Sequence, residues 1–276
     1  MYIFLTGGSG FIGKSFIYKA IKKGYKIFAL SRKKIKNKKN LYWIKGNLNQ
    51  DWSKYLKKSD FLVHLAAAGV NKKEITEKEA LDANVYRPYK LLLNSINSGC
   101  NKWIIVGTAS EYGKSALLKK PLNIKTREIP ENNYEISKYL FTKLTLNLAK
   151  SHKIKCRIMR LFNVYGKGEE RSRLWPSLNK ALKQKKNFKM TAGNQIRDFI
   201  KVEHAVDILL DTLNFKKRNK SFPQIWHVAS GNPKSVKNFA KSYWEEKKGK
   251  GKIFFGKLKL KNYKNYISDK KSIWKL

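Results

Sequence analysis

The sequence predicts an α/β fold, a doubly wound parallel sheet with a smaller C-terminal lobe. Three observations carry that prediction. Residues 1–24 read as strand, glycine-rich turn and helix. Apolar runs then alternate with helical patterns up to about residue 165, the order expected of a parallel sheet covered on both faces. After that come helices separated by short strands such as "NFKM" and "IWHVAS". At 276 residues the chain has room for one large domain, or for a nucleotide-binding domain with a lobe. The expected division is 1–165 for the nucleotide-binding part and 166–276 for a substrate lobe interleaved with the sheet.

The opening stretch is "MYIFLTGGSGFIGKSFIYKAIKKG". Residues 2–6 alternate like a buried strand, Gly7, Gly8 and Gly10 interrupt it, and residues 11–23 repeat their apolar positions at helical spacing. Such a turn lets backbone N–H groups approach a pyrophosphate at the positive end of a helix. A glycine pattern alone is weak, but the strand before it and the helix after it are the context that gives it meaning. The reading is a Rossmann-type dinucleotide site at Gly7, Gly10 and Gly13, with Phe11 and Ile12 at the start of the helix. Further buried strands are expected at 41–45, 61–65, 103–107 and 157–161. Helices are expected at 51–57, 75–97 and 134–151, and a polar connector at 214–223. The lysine-rich end, 247–276, keeps enough Phe, Tyr and Trp to argue against simple disorder.

Composition excludes several classes. No stretch reaches the roughly 18 apolar residues of a membrane span, and the first residues read as a strand rather than a signal peptide. Cys100 and Cys156 are too few for a disulfide framework or a metal cluster, and no metal is expected. Both are read as core residues in a reducing, cytoplasmic setting. The formal net charge is +42, from 61 Lys plus Arg against 19 Asp plus Glu. Attraction to nucleic acid or anionic lipid follows physically. The lysines are scattered and no recognition motif accompanies them, so they are read as a solvated surface with no specific nucleic-acid partner. A positive field also helps gather an anionic substrate.

The chemistry concentrates after "NKWIIVGT", a strand that delivers Thr108, Ala109, Ser110, Glu111 and Tyr112 to the carboxyl edge of the sheet, where open α/β sheets bind ligands. Some 25 residues on, "ENNYEISKYLFTKL" places Tyr134 and Lys138 four apart on one helix face. A neighbouring ammonium favours tyrosinate, so the pair is expected to supply a phenol of depressed pKa for proton transfer at a carbonyl or alcohol. A Tyr and a Lys at that spacing are usually structural; the glycine turn and "GTASEYG" upstream make the functional reading the stronger one.

Gly7, Gly10 and Gly13 follow GxxGxxG. With that turn, the segments "VHLAA", "TASEYG", "YEISK", "RLFNVYGKGEE", "GNQIRDFIKVEHAV" and "WHVASGNPKSV" occur in order, and together they resemble the extended short-chain dehydrogenase/reductases. These are the NAD(P)-dependent epimerase/dehydratase family that acts on nucleotide sugars. The resemblance implies Thr108, Tyr134 and Lys138 as catalytic residues, with Tyr134 and Lys138 also against the cofactor. It implies Gly7, Gly10, Phe11, Ile12, Gly13, Ser31, Arg32, Asn47, Leu48, Leu65, Ala66 and Ala67 around the cofactor. Asn163, Arg173 and Arg197 would meet a nucleotide-sugar substrate. A homodimer is compatible with it. His64 is kept as a core histidine.

Two departures from the family sharpen the expectation. Dehydratases of this family carry Asp-Glu after the catalytic Thr; Ala109 and Ser110 stand there, and Glu111 is expected to point elsewhere, so dehydration is not expected. Members that prefer NAD end the second strand in Asp, which accepts from both ribose hydroxyls. Here "YKIFALSRKK" puts Ser31 and Arg32 there. A hydroxyl and a forked cation suit a 2′-phosphate, so NADP(H) is expected in preference to NAD(H). The "RLWPSL…MTAGNQIRDFI" run particularly resembles sequences grouped with CDP-abequose and CDP-paratose synthases. The leading reading is an NADPH-dependent reductase of a nucleotide-diphosphate 4-keto-deoxyhexose. Its rivals are a 4-epimerase with tightly held NAD and, from another class, a basic non-catalytic nucleic-acid-associated protein.

Overall fold

The structure is a computed structural model that describes residues 1–70, 75–219, 221–259 and 263–276. In chain order its elements are β1 (Tyr2–Thr6), α1 (Phe11–Lys22), β2 (Lys26–Ser31), β3 (Leu41–Lys45), α2 (Ser53–Leu56), β4 (Phe61–His64), α3 (Glu77–Leu81) and α4 (Arg87–Asn97). Then follow β5 (Lys102–Thr108), α5 (Asn133–Ser151), β6 (Lys155–Leu161), β7 (Asn163–Tyr165), α6 (Leu174–Lys183), β8 (Phe188–Lys189), β9 (Ile196–Arg197) and β10 (Phe199–Lys201). The chain continues with α7 (Val202–Asp211), β11 (Gln224–Val228), β12 (Lys234–Ser235), α8 (Val236–Glu246) and β13 (Ile253–Phe254). Each expected strand is present, and the helices expected at 51–57 and 134–151 are found as α2 and α5. Lys220 of the expected connector, and residues 260–262 of the lysine-rich end, lie outside the described residues.

Seven strands form one sheet in the order β11-β6-β5-β4-β1-β2-β3, and every pairing within it is parallel. Alternation along β1 shows how two faces are filled from one strand. Ile3 and Leu5 join α1 and α7 through Phe16, Val206 and Leu209, while Phe4 points the other way, to Leu91, Leu92 and Phe141 of α4 and α5. The strand order reverses between β1 and β4, which opens a crevice at their carboxyl ends. "IWHV", expected among the separated strands of the lobe, is instead the sheet's outer strand β11, paired to β6 from Gln224↔Arg157 to Val228↔Leu161. Its Trp226 packs edge-on against Trp274, which explains why so late a segment closes the edge. Cys100 and Cys156 are buried and unbridged, and burial raises both thiols, Cys100 to about 11.

The expected helix at 75–97 is interrupted. Asp82–Tyr86 takes a π-turn between α3 and α4, and the extra residue turns Asn84 inward, where it is 2% exposed. Asn84 Nδ2 donates to the Ala68 carbonyl at 3.0 Å and to Ser137 Oγ at 3.0 Å, and its Oδ1 accepts from Ala68 N at 2.8 Å. One side chain thereby fixes the turn after β4 to the helix that carries Tyr134 and Lys138. No helix among the described residues is long and apolar enough to cross a membrane.

Candidate active site

The first wall of the crevice is backbone. Gly7 has φ +73°, and a Cβ built there would lie 2.6 Å from Ala66 N. One built on Gly13 would lie 2.1 Å from the Gly7 carbonyl oxygen. The glycines are therefore required by close approach of the β1 turn to the β4 turn and of the turn to its own helix. Gly10 caps α1 without any side-chain hydrogen bond, and the first turn contains no acid. The leading amides, those of Phe11, Ile12 and Gly13, are left pointing into the crevice at the positive end of a 12-residue helix. This arrangement fits the diphosphate of a dinucleotide. Leu65, Ala66 and Ala67 follow β4 opposite it, with Ala66 N 3.4 Å from Thr6 Oγ1. Thr6 also meets His64 Nδ1 at 2.8 Å. His64 is a core residue, 1% exposed, whose burial and the nearby Lys138 charge depress it to about 3.

Ser31 ends β2 nearly buried, and its Oγ accepts from Lys33 N at 3.2 Å, so the hydroxyl proton is left for a ligand. Arg32 beside it is exposed. Asn47 is held by the turn after β3: its N donates to Gln50 Oε1 and its carbonyl accepts from Trp52 Nε1. Leu48 packs partly buried on the α2 side.

The second wall is built from side chains. Thr108 ends β5, and its hydroxyl accepts from Ser110 N at 3.2 Å and shares a hydrogen bond with Tyr134. Tyr134 stands in the first turn of α5, whose N-cap Asn132 accepts from Glu135 N. Lys138, 3% exposed, lies one turn on and donates to the Val106 carbonyl at 2.8 Å. The three residues expected to act together are thus brought together. The expected depression of the tyrosine is not found. Enclosure of its hydroxyl pushes Tyr134 up to about 12, against the smaller opposing effect of the Thr108 hydrogen bond. The Lys138 ammonium is spent on Val106, and desolvation lowers its own pKa.

Glu111 points away from the crevice, as expected, for a reason the sequence did not contain. The chain turns at once into a tight helical turn, Ala109–Tyr112, whose N-terminus Glu111 caps by accepting from Thr108 N at 2.8 Å. Its other oxygen accepts from Arg160 Nε at 3.0 Å, and both side chains are fully buried. Arg160 also pairs with Glu128 at 2.7 Å.

On the substrate side, Asn163 begins β7 and is tied through its amide to the Asp198 carbonyl at 3.0 Å. Arg173 caps α6, pairs through Nε with Glu169 at 2.9 Å, and lies close enough for its charge to act on both Tyr134 and Arg197. Arg197 on β9 stacks 4.6 Å over the Tyr266 ring. Tyr266 shares a hydrogen bond with Ser110 and lies near Tyr134. Sequence reasoning missed Tyr266, Glu169 and Asn84. Glu169 is nearly buried, and desolvation raises its carboxyl to about 7. Asn84 and Tyr266 gain their places from distant segments, whereas Glu169 is held locally by Arg173, four residues on, a spacing that the sequence contained.

The sequence profile of the NAD dependent epimerase/dehydratase family matches residues 3–229. The chain belongs to that family. Among curated members, the CDP-abequose synthase of Salmonella typhimurium is 31% identical over 247 residues, covering 86% of this chain and 78% of the relative. The UDP-glucose 4-epimerase of Vibrio cholerae is 24% identical over 246 residues, covering 85% and 72%. Among solved structures, UDP-glucuronic acid 4-epimerase from Bacillus cereus, in complex with UDP-glucuronic acid and NAD, superposes with a TM-score of 0.83 at 20% identity. It covers 98% of this chain and 90% of its own. The epimerase/dehydratase family comprises NAD-dependent enzymes of nucleotide sugars, and the Rossmann sheet described above is its fold.

Proposed function

We propose that the protein is an NADPH-dependent reductase that converts a nucleotide-diphosphate 4-keto-deoxyhexose to the alcohol. The observation that carries this reading is the commitment of Glu111 to Arg160 and to its own turn. It leaves Thr108, Ser110 and Tyr134, but no carboxylate of the 108–112 segment, facing the crevice, which suits redox at a carbonyl and not elimination of water. The 31% identity to a CDP-abequose synthase supports the same direction.

When bound, the cofactor supplies the hydride. Gly7, Gly10, Phe11, Ile12 and Gly13 would hold its diphosphate, and Ser31 with Arg32 its 2′-phosphate. Tyr134 gives the proton: with its pKa near 12 it is fully protonated at neutral pH and hands its O–H to the carbonyl oxygen as that oxygen gains charge. Thr108 hydrogen-bonds the same oxygen and fixes the phenol's orientation. Lys138 favours proton release from Tyr134 once its ammonium leaves Val106. Arg173 and Arg197 are two cations for the substrate's diphosphate, and Asn163 lies beside the sugar.

The test is loss of NADPH absorbance with purified protein and nucleotide 4-keto-6-deoxyhexoses, with product formed in equal amount. Arg32→Ala is expected to remove most of an NADP(H) preference worth roughly 1.5–3 kcal/mol, the range for a charge-assisted hydrogen bond. Ser31→Asp is expected to reverse it. Protein that purifies with NAD resistant to dialysis, and interconverts UDP-glucose and UDP-galactose without added cofactor, is an epimerase and overturns the proposal.

A further inference from the structure

Between the catalytic Thr108 and the helix of Tyr134 the chain makes a closed loop. Lys114 N donates to the Ile129 carbonyl at 2.8 Å and Ile129 N to the Tyr112 carbonyl at 3.2 Å, so the two ends of the loop meet. Its interior is packed: Ala116 and Leu122 are buried against Tyr112, Tyr266 and Ile273. It is also anchored from outside, since Leu122 N donates to the Ile267 carbonyl at 2.8 Å and Ile124 N to Ser272 Oγ at 3.2 Å. Leu117 is 50% exposed and its neighbour Leu118 60%. On a loop so well fixed, adjacent exposed leucines form a fixed apolar tip and not a fraying segment. Asn265 Nδ2 reaches both the Leu117 and the Tyr263 carbonyls at 3.5 Å, which sets Tyr263, 68% exposed, beside the leucines.

The surroundings of this apolar tip are cationic. Lys114, Lys119, Lys120, Lys125 and Arg127 are all exposed, and residues 112–127 contain no Asp or Glu; Glu111, just before them, is buried. Lys114 alone has a nearby acid, Glu131 at 3.8 Å.

We infer that the loop 113–129 is a docking surface for an anionic lipid bilayer, with Leu117 and Leu118 entering the interface and the lysines around them meeting lipid phosphates. The charge complementarity names the occupant. Aliphatic side chains inserted among lysines, with a tyrosine at the margin, match the layered polarity of a membrane surface. A nucleic acid could use the cations and Tyr263, but it would leave the two exposed leucines without a partner. This inference does not depend on the reductase reading.

The test is co-sedimentation of the full chain with vesicles of phosphatidylcholine alone and of phosphatidylcholine mixed with phosphatidylglycerol, at physiological ionic strength. Binding is expected only to the mixed vesicles. Leu117→Ser/Leu118→Ser is expected to weaken it by about tenfold or more while leaving the melting temperature and cofactor affinity unchanged. Lys119→Gln/Lys120→Gln is expected to weaken it comparably. Lys22→Gln/Lys23→Gln, which removes two exposed cations at the end of α1, is expected to have little effect. Equal binding by the leucine variant would assign the attraction to diffuse charge and overturn the proposal. So would failure of the parent protein to bind mixed vesicles, or a loss of RNA binding in the leucine variant as large as its loss of vesicle binding.

Discussion

The two walls of the crevice are made differently. After β1 the chain offers backbone: three glycines, a helix N-terminus without a side-chain cap, and close contact with the turn after β4. After β5 it offers side chains: Thr108, Tyr134 and Lys138, backed by a buried Glu111–Arg160–Glu128 cluster. The backbone wall suits a ligand part common to a whole family of enzymes, since amides recognise a diphosphate whatever is attached to it. Under the proposed function, the side-chain wall sets which reaction follows. The two also fail differently, for one is disturbed by adding a methyl group and the other by removing a hydroxyl.

The largest effect is expected on the side-chain wall. Tyr134→Phe removes the proton donor and leaves the helix intact, so turnover should fall on the order of 100-fold or more, with cofactor affinity retained. Turnover and cofactor titration measured on the same preparation check both halves, and undiminished turnover would break the comparison. On the backbone wall, Gly13→Ala puts a Cβ against the Gly7 carbonyl, where no side chain can move aside. A strain of roughly 1–3 kcal/mol is expected, read as a rise in cofactor Kd of about tenfold or more by calorimetry. An alanine variant that binds as the parent does would show that the turn has slack.

A smaller, graded effect separates neither wall but lies behind both. His64 hydrogen-bonds Thr6 under the glycine turn, and His227 hydrogen-bonds Tyr112 at 2.6 Å and Ser268 at 2.8 Å behind the 108–112 segment. Burial depresses each to about 3 from 6.5. Because the folded values are depressed, their contribution is fully present above pH 6.5 and is lost as pH falls toward 3. The unfolded chain takes up protons there that the folded chain refuses. Each histidine adds a slope of up to about 1.4 kcal/mol per pH unit. Melting temperatures should therefore drop between pH 7 and pH 5, and His64→Asn or His227→Asn should flatten the dependence relative to a shared starting value. Constant melting temperatures across that range would contradict the neutral, buried assignment.

Much of this was legible in the sequence. The glycine turn, the alternating elements and the Tyr134–Lys138 spacing are local patterns, and local patterns survive without coordinates. The π-turn that aims Asn84 at Ala68 and Ser137 was not, since one extra residue within a helix leaves no periodic trace. The depressed tyrosine was expected from proximity of an ammonium, but proximity in sequence does not say which way a lysine points, and Lys138 points to Val106. Glu111 was expected to leave the crevice; its destination, Arg160, is 49 residues away and belongs to another strand. Tyr266 comes from still further along the chain. Residues that act through long-range contacts are hidden from spacing arguments, whatever their chemistry.

The outer position of β11 has a consequence for how the molecule is made. Strand β6 has β5 on one side and waits for β11 on the other. Arg157 of β6 is buried with its guanidinium donating to the carbonyls of Thr212, Asn214 and Lys217. None of those acceptors exists in a nascent chain that has only reached the end of β6. During synthesis the cation therefore lacks its acceptors until Lys217 has emerged, and the sheet carries an open hydrogen-bonding edge until β11 has emerged, a window in which edge-to-edge association competes with folding. That interval on the ribosome is when the β6 edge is open to such association, before β11 covers it.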